Sequence, residues 1–148
     1  MLIANLQLLD GFIARKDADL AVARALTAPP DTRLLTFGLT LTLRHYTPYP
    51  TLDLSELTPA TLANLLADGR PTLLLLDVPN IERQWPGHAP ETNYRWLRTH
   101  PGLTPVAEYG PYTLFQIGAV GSAGQVLPIA EPNPQSAIGY PPERVNPQ

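Results

Sequence analysis

The residues best suited to chemistry gather around one short run. Asp77 follows four consecutive leucines, Leu73 to Leu76, and the segment from Pro79 to Pro90 then supplies Glu82, Arg83, Trp85 and His88. Carboxylates, an imidazole and an indole so close in sequence are the materials of acid–base chemistry, or of a surface that binds a glycan or small molecule. His45 and Tyr46, which follow the apolar run Arg33 to Gly38, add a second titratable group and a second ring. If the runs before them are neighbouring strands, all six candidates (His45, Tyr46, Asp77, Glu82, Trp85 and His88) fall at one edge, as a ligand or acceptor surface. The architectural alternative has Asp77 ordering its loop, Trp85 packing over the sheet edge, and His45 with Tyr46 as a partly exposed pair. His100, beside Pro101, suits the end of a helix, where the dipole favours a cation.

Recognised catalytic patterns are missing. The three histidines are far apart and no H-x-x-x-H or H-E-x-x-H occurs, so no metal site is expected. The turn after the first apolar run reads Phe37-Gly38-Leu39-Thr40, with one glycine where a dinucleotide turn needs three, and there is no P-loop. No G-x-S-x-G elbow is present, and Ser55, Ser122 and Ser136 have no nucleophile setting. No catalytic residue and no cofactor is therefore assigned. The absence of cysteine excludes a disulfide frame or thiolate site. Ten basic residues are scattered against 13 acidic ones for a net charge of -3, which gives no nucleic-acid surface.

The elements that must position these residues follow from periodicity. Leu2, Leu6, Leu9 and Ile13 form one stripe of a helix ending near Gly11 to Arg15, and Asp17 or Asp19 is placed to cap a second helix through Thr27. Arg33 to Gly38 reads as a buried strand. Leu39 to Tyr46 fits either a helix or a strand, and Thr51 to Leu54 a brief strand. Thr58 then caps a helix with Pro59 at its first position and Leu57 set to meet Leu62, closed by Gly69 and Pro71. Thr72 to Val78, without alternation, is a central strand covered on both faces. Pro90 and Glu91 open another helix to Thr99, and Thr104 to Tyr109 with Tyr112 to Ile117 form a hairpin about Gly110-Pro111.

This order predicts an α/β fold: a three-layer, Rossmann-like, mostly parallel sheet with a C-terminal antiparallel hairpin. A length of 148 residues suits one domain. The expected divisions are 1–16, a membrane-proximal or docking helix; 17–117, the α/β domain; and 118–148, a tail with six prolines and too little apolar content for a core. No apolar run approaches the roughly 20 residues that cross a bilayer, and no signal peptide is expected from Met1-Leu2-Ile3.

Several runs carry a resemblance: Ala23-Arg24-Ala25-Leu26 before Pro29-Pro30, Leu34 to Gly38, R-H-Y-T (Arg44 to Thr47) and T-P-A-T-L-A-N-L-L (Thr58 to Leu66). To these add L-L-L-L-D (Leu73 to Asp77), Q-W-P-G (Gln84 to Gly87), Y-R-W-L (Tyr94 to Leu97) and Y-G-P-Y-T-L-F-Q-I (Tyr109 to Ile117). With them the stretch from Ala21 to Ile117, about two thirds of the chain, resembles the soluble domain after the last transmembrane helix of the protein mannosyltransferase and aminoarabinose-transferase group. The resemblance implies an accessory domain on the extracytoplasmic face of the membrane, partnered by the transmembrane domain of the same protein and by a glycan or protein acceptor. It transfers no catalytic residue, because in that group the acidic residues and the polyprenyl-phosphate-sugar pocket belong to the membrane part. Two other readings stand beside it. One is an independent enzyme or small-molecule binder using Asp77, His45 and His88; the other is an interaction module docking a partner helix on the stripe Leu2 to Ile13.

Overall fold

The computed structural model describes residues 2–118. Its five strands, β1 (Arg33–Thr36), β2 (Thr51–Asp53), β3 (Thr72–Leu76), β4 (Leu103–Tyr109) and β5 (Tyr112–Ile117), form one sheet in the order β2-β1-β3-β5-β4. The helices are α1 (Leu2–Ala25), α2 (Thr40–Tyr46), α3 (Pro59–Leu66), α4 (Val78–Gln84) and α5 (Ala89–Thr99). β1 pairs in parallel with β2 and β3, whereas β5 runs antiparallel to both β3 and β4, so the open sheet is mixed, parallel over its first three strands with the expected antiparallel pair at its C-terminal end.

Alternation along the strands divides the core in two. Leu34, Leu73, Leu75 and Leu114 pack with Val22, Ala23 and Leu26 of α1 and with Leu39 and Leu43 at α2. Leu35, Leu74, Leu76 and Ile117 pack instead with Leu62 of α3, Ile81 of α4, and Tyr94 and Leu97 of α5. β3 supplies leucines to both clusters, which is why it shows no exposed position. Each such fully buried leucine contributes on the order of 2 kcal/mol before its entropy is counted.

Local rules account for most element ends. Thr58 accepts from Thr61 N–H at 3.2 Å and Thr61 Oγ1 accepts from Thr58 N–H at 2.7 Å, a reciprocal cap with Pro59 at the first position. Leu57 and Leu62 share one cluster, as a staple requires. Gly110 has a φ of 58°, the sign a hairpin turn with glycine first demands. In β4 the pairing slips between Pro105 and Ala107, leaving Val106 as a bulge.

Three expectations need correction, and a fourth, open between helix and strand, is decided. The break between two helices near residue 16 is absent: α1 runs unbroken from Leu2 to Ala25, and neither Asp17 nor Asp19 caps anything. Leu39 to Tyr46 resolves as helix, its N–H groups closing turns from Leu43 N–H to Leu39 O at 2.9 Å onward. Thr51 to Leu54 is shorter than expected as a strand, because Leu54–Glu56 turns into one 3-10 turn capped by Asp53. Finally, Val78 opens α4 instead of closing β3, so the presumed loop after Asp77 is helical for its first half. The expected tail lies outside the described residues apart from Gly118, whose N–H donates to Gly102 O at 3.0 Å.

Candidate functional site

The carboxyl ends of the parallel strands are where open α/β sheets receive ligands. Asp77 is the first residue after β3, and Tyr112 opens β5 beside it, since Leu76 is paired with Thr113. α1 descends past this end. Arg15 Nη1 donates to Asp77 Oδ2 at 2.8 Å, and Arg15 Nε lies 3.5 Å from Asp19 Oδ1, one turn further along the helix. Asp19 in turn accepts the Tyr112 hydroxyl, and its second oxygen lies 3.5 Å from Lys16 Nζ. The Arg15 guanidinium stands over the Tyr112 ring, 4.9 Å from its centre. Asp19, Asp77 and Tyr112 are all buried.

Each group is held by another. Asp77 Oδ1 accepts from Asn80 N–H at 3.0 Å, capping α4, so both carboxylate oxygens are engaged. Burial, together with the Asp19 carboxylate, pushes the Tyr112 phenol well above its ordinary value and keeps it protonated. Burial works against the charged form of Arg15, but the hydrogen bond to Asp77 and the charges of Asp77 and Asp19 outweigh it and raise its value. A base or nucleophile must be able to accept or attack; here the acceptors are filled from within the chain.

The second part of this end is aromatic. Phe37, the residue after β1, meets Trp85 at 5.1 Å between ring centres, edge to face, and Trp85 meets His88 at 5.9 Å. A tight turn sets this up: His88 N–H donates to Trp85 O at 3.1 Å, Gly87 has a φ of 75°, and Gly87 N–H donates to the buried Glu91 Oε2 at 3.1 Å. Glu82 is exposed on α4.

His45 and Tyr46 do not join this group. α2 starts at the carboxyl end and returns the chain, so that Arg44 Nε donates to the carbonyl of Thr51, the first residue of β2, at 3.0 Å. The two rings pack on each other, 4.6 Å between centres, toward the amino ends of the strands. At that amino end Ala28, Pro30, Pro48, Tyr49, Pro50 and Arg70 line a hollow of about 380 Å³. Tyr49 Oη both donates to Ala28 O at 2.9 Å and accepts from Ala28 N–H at 2.8 Å, so its polar group is spent on the wall. His100 stacks on Trp96, 4.9 Å between centres, at the end of α5. Among the described residues no three His, Asp or Glu side chains converge as a metal site.

Arg15, Tyr112 and Phe37 are not marked as site residues by the sequence, and Asp19 reads there only as a helix cap. One signal was present: Asp19 precedes Val22, Ala23 and Leu26 by three, four and seven residues, which places a carboxylate on the buried stripe of a helix, where it needs a partner. Compared with known protein families, curated proteins and solved structures, the chain matches none at a significant level.

Proposed function

We propose that this chain is a non-catalytic accessory domain, Rossmann-like in its three layers, of a lipid-linked-sugar-dependent membrane glycosyltransferase. In this reading it lies on the extracytoplasmic face, where it supports the transmembrane domain or helps hold a glycan or protein acceptor. The class of enzyme rests on the sequence resemblance from Ala21 to Ile117. The non-catalytic part rests on one observation: at the carboxyl end of β3, the place where such a sheet takes ligands, Arg15, Asp19, Asp77 and Tyr112 satisfy one another. Position adds to this, because α2 carries His45 away from Asp77 and His88, which weakens the alternative of an enzyme or small-molecule binder built on those three.

Calorimetric titration with NAD, ATP and nucleotide sugars tests the reading. Affinities no tighter than about millimolar are expected, since no glycine-rich turn presents N–H groups to a pyrophosphate. A micromolar dissociation constant for any of them would restore an enzyme or sensor. A multi-span membrane protein encoded in frame upstream of Met1 is the positive outcome, and a stop codon directly upstream removes the transferase.

A further inference from the structure

Three connections meet at the amino ends of β2, β1 and β3, the strands that run parallel. Ala28 to Thr32 lead into β1, Pro48 to Pro50 into β2, and Arg70 with Pro71 into β3. The hydrogen bonding of the sheet continues into them: Leu34 N–H donates to Pro50 O at 2.9 Å and Arg33 N–H to Pro71 O at 2.8 Å. Tyr49 Oη ties the second connection to the first through the N–H and C=O of Ala28, and Arg70 Nε ties the third to the first by donating to Asp31 O at 2.5 Å. With φ fixed at three prolines as well, the hollow of about 380 Å³ between them is formed before anything enters it. Its size falls within the roughly 300–1,000 Å³ of small-molecule sites.

Two charged groups line this hollow, and the chain leaves both with capacity to spare. Among the described residues the Asp31 carboxylate has no hydrogen bond or ion pair, and of the Arg70 side chain only Nε is engaged, which leaves both Nη groups. Asp31 is exposed and Arg70 partly so, within reach of a ligand. Asp31 is also the one non-glycine residue among those described with a positive φ, 67°, a strained conformation that collects at ligand sites. The carboxyl end of β3 is the reverse case, since there Arg15, Asp19 and Asp77 are satisfied from within.

The lining selects a class of ligand. An anion meets Asp31 and a cation meets Arg70, so net charge gains nothing, while a wholly apolar ligand strips water from both groups and returns no hydrogen bond. A neutral molecule with several hydroxyls suits the pair, because the carboxylate accepts O–H and the guanidinium fork donates to oxygen. Tyr49, its hydroxyl already committed to Ala28, offers ring area beside Pro30, Pro48 and Pro50 for an apolar C–H face. A pyranose has both the hydroxyls and the C–H face. We infer that the hollow at the amino ends of β1, β2 and β3 binds a neutral pyranose through Asp31, Arg70 and Tyr49. For the source of the sugar this rests on the accessory-domain reading, and it gives a glycan acceptor a place at the opposite end of the sheet from Asp77.

The test titrates the full chain with the methyl glycosides of glucose, galactose and mannose and follows backbone amides by NMR. Expected are shifts at Asp31, Tyr49 and Arg70, with a dissociation constant of about a millimolar for at least one glycoside. Asp31→Gly removes the carboxylate at a φ that glycine adopts freely, and should weaken binding about tenfold with little change in melting temperature. Arg70→Lys keeps the charge but loses the fork, and should weaken binding severalfold. Amides unmoved at sugar concentrations of about 0.1 M overturn the inference, as does binding that Asp31→Gly leaves intact. Shifts centred on Trp85 and His88 would move the sugar to the carboxyl end and overturn the site. A free amino acid that moves the Asp31 and Arg70 amides where the glycosides do not would replace the sugar by a zwitterion. Each of these failures sinks this inference alone, whereas the accessory reading falls on a micromolar nucleotide affinity or an upstream stop codon.

Discussion

Arg15 Nη1 donates to Asp77 Oδ2 at 2.8 Å while Asn80 N–H donates to Asp77 Oδ1 at 3.0 Å, so one carboxylate both fastens α1 to the sheet and starts α4. The two residues are 62 positions apart, and their contact adds an ion pair to the apolar packing of Val22, Ala23 and Leu26 that holds the first helix on the sheet. Replacing Arg15 by Met leaves Asp77 buried without its countercharge, and a loss of about 1–2 kcal/mol is expected, below the cost for a fully buried pair because Arg15 is half-exposed. Adding Asp77→Asn should cost less than the two single changes together. Urea denaturation of the four proteins checks this; strict additivity would show that the pair does not interact.

Tyr112→Phe removes the hydroxyl that Asp19 accepts, leaving a buried carboxylate with one donor fewer, and should cost about 1–3 kcal/mol at neutral pH. It should also change the alkaline limb. The folded value of Tyr112 lies above its ordinary 10.0, so its stabilisation is complete below pH 10 and is lost as pH rises through the higher folded value. Melting curves from pH 8 upward should fall more steeply in the wild type than in the variant, and parallel curves would refute the linkage.

Asp53 gives the opposite sign. Burial alone would raise its value, but donation from Ser55 N–H at 2.9 Å, Ser55 Oγ at 2.6 Å and Thr40 Oγ1 at 2.5 Å, with Arg44 nearby, holds it below the ordinary 3.8. Its contribution is present above pH 3.8 and disappears as pH falls through the lower folded value. Asp53→Asn should therefore be less stable by about 1 kcal/mol at neutral pH and less sensitive to acid below that point. A wild type and variant that converge only above neutral pH would contradict the assignment.

Gly118→Ala should be poorly tolerated although it lies beyond the last strand. A Cβ built there would meet the carbonyl oxygen of Pro101 at 2.3 Å, and backbone does not yield as a side chain does. The change is expected to cost about 1–3 kcal/mol through displaced backbone and the strained Gly118 N–H to Gly102 O bond. A thermal melt within a degree of wild type would show that the closure of β4 and β5 has slack.

What sequence reveals here is what is local. The cap at Thr58, the unbroken leucines of β3 and the Gly110-Pro111 hairpin are written in adjacent residues, and all three are found in place. Asp19 misleads because a carboxylate near an expected helix start resembles a cap, while its real partner, Tyr112, lies 93 residues away. α4 was legible in principle, with Asp77 as cap and Pro79 in the first turn, but its seven residues are too few for apolar periodicity to show. The position of His45 depended on whether Leu39 to Tyr46 was helix or strand. Only packing against α1 and β2 decides that, through Leu43 in the core and Arg44 at Thr51.

The bulge at Val106 bears on how the molecule behaves when crowded. β4 faces outward along its length, and a regular strand there would offer a ladder on which a neighbouring molecule could continue the sheet. Pro105 has no N–H to give, and the slip at Val106 breaks the repeat one residue later. Chain-to-chain polymerisation from this side is thus interrupted in the covalent structure itself, and concentrated solutions should resist fibril growth seeded at β4.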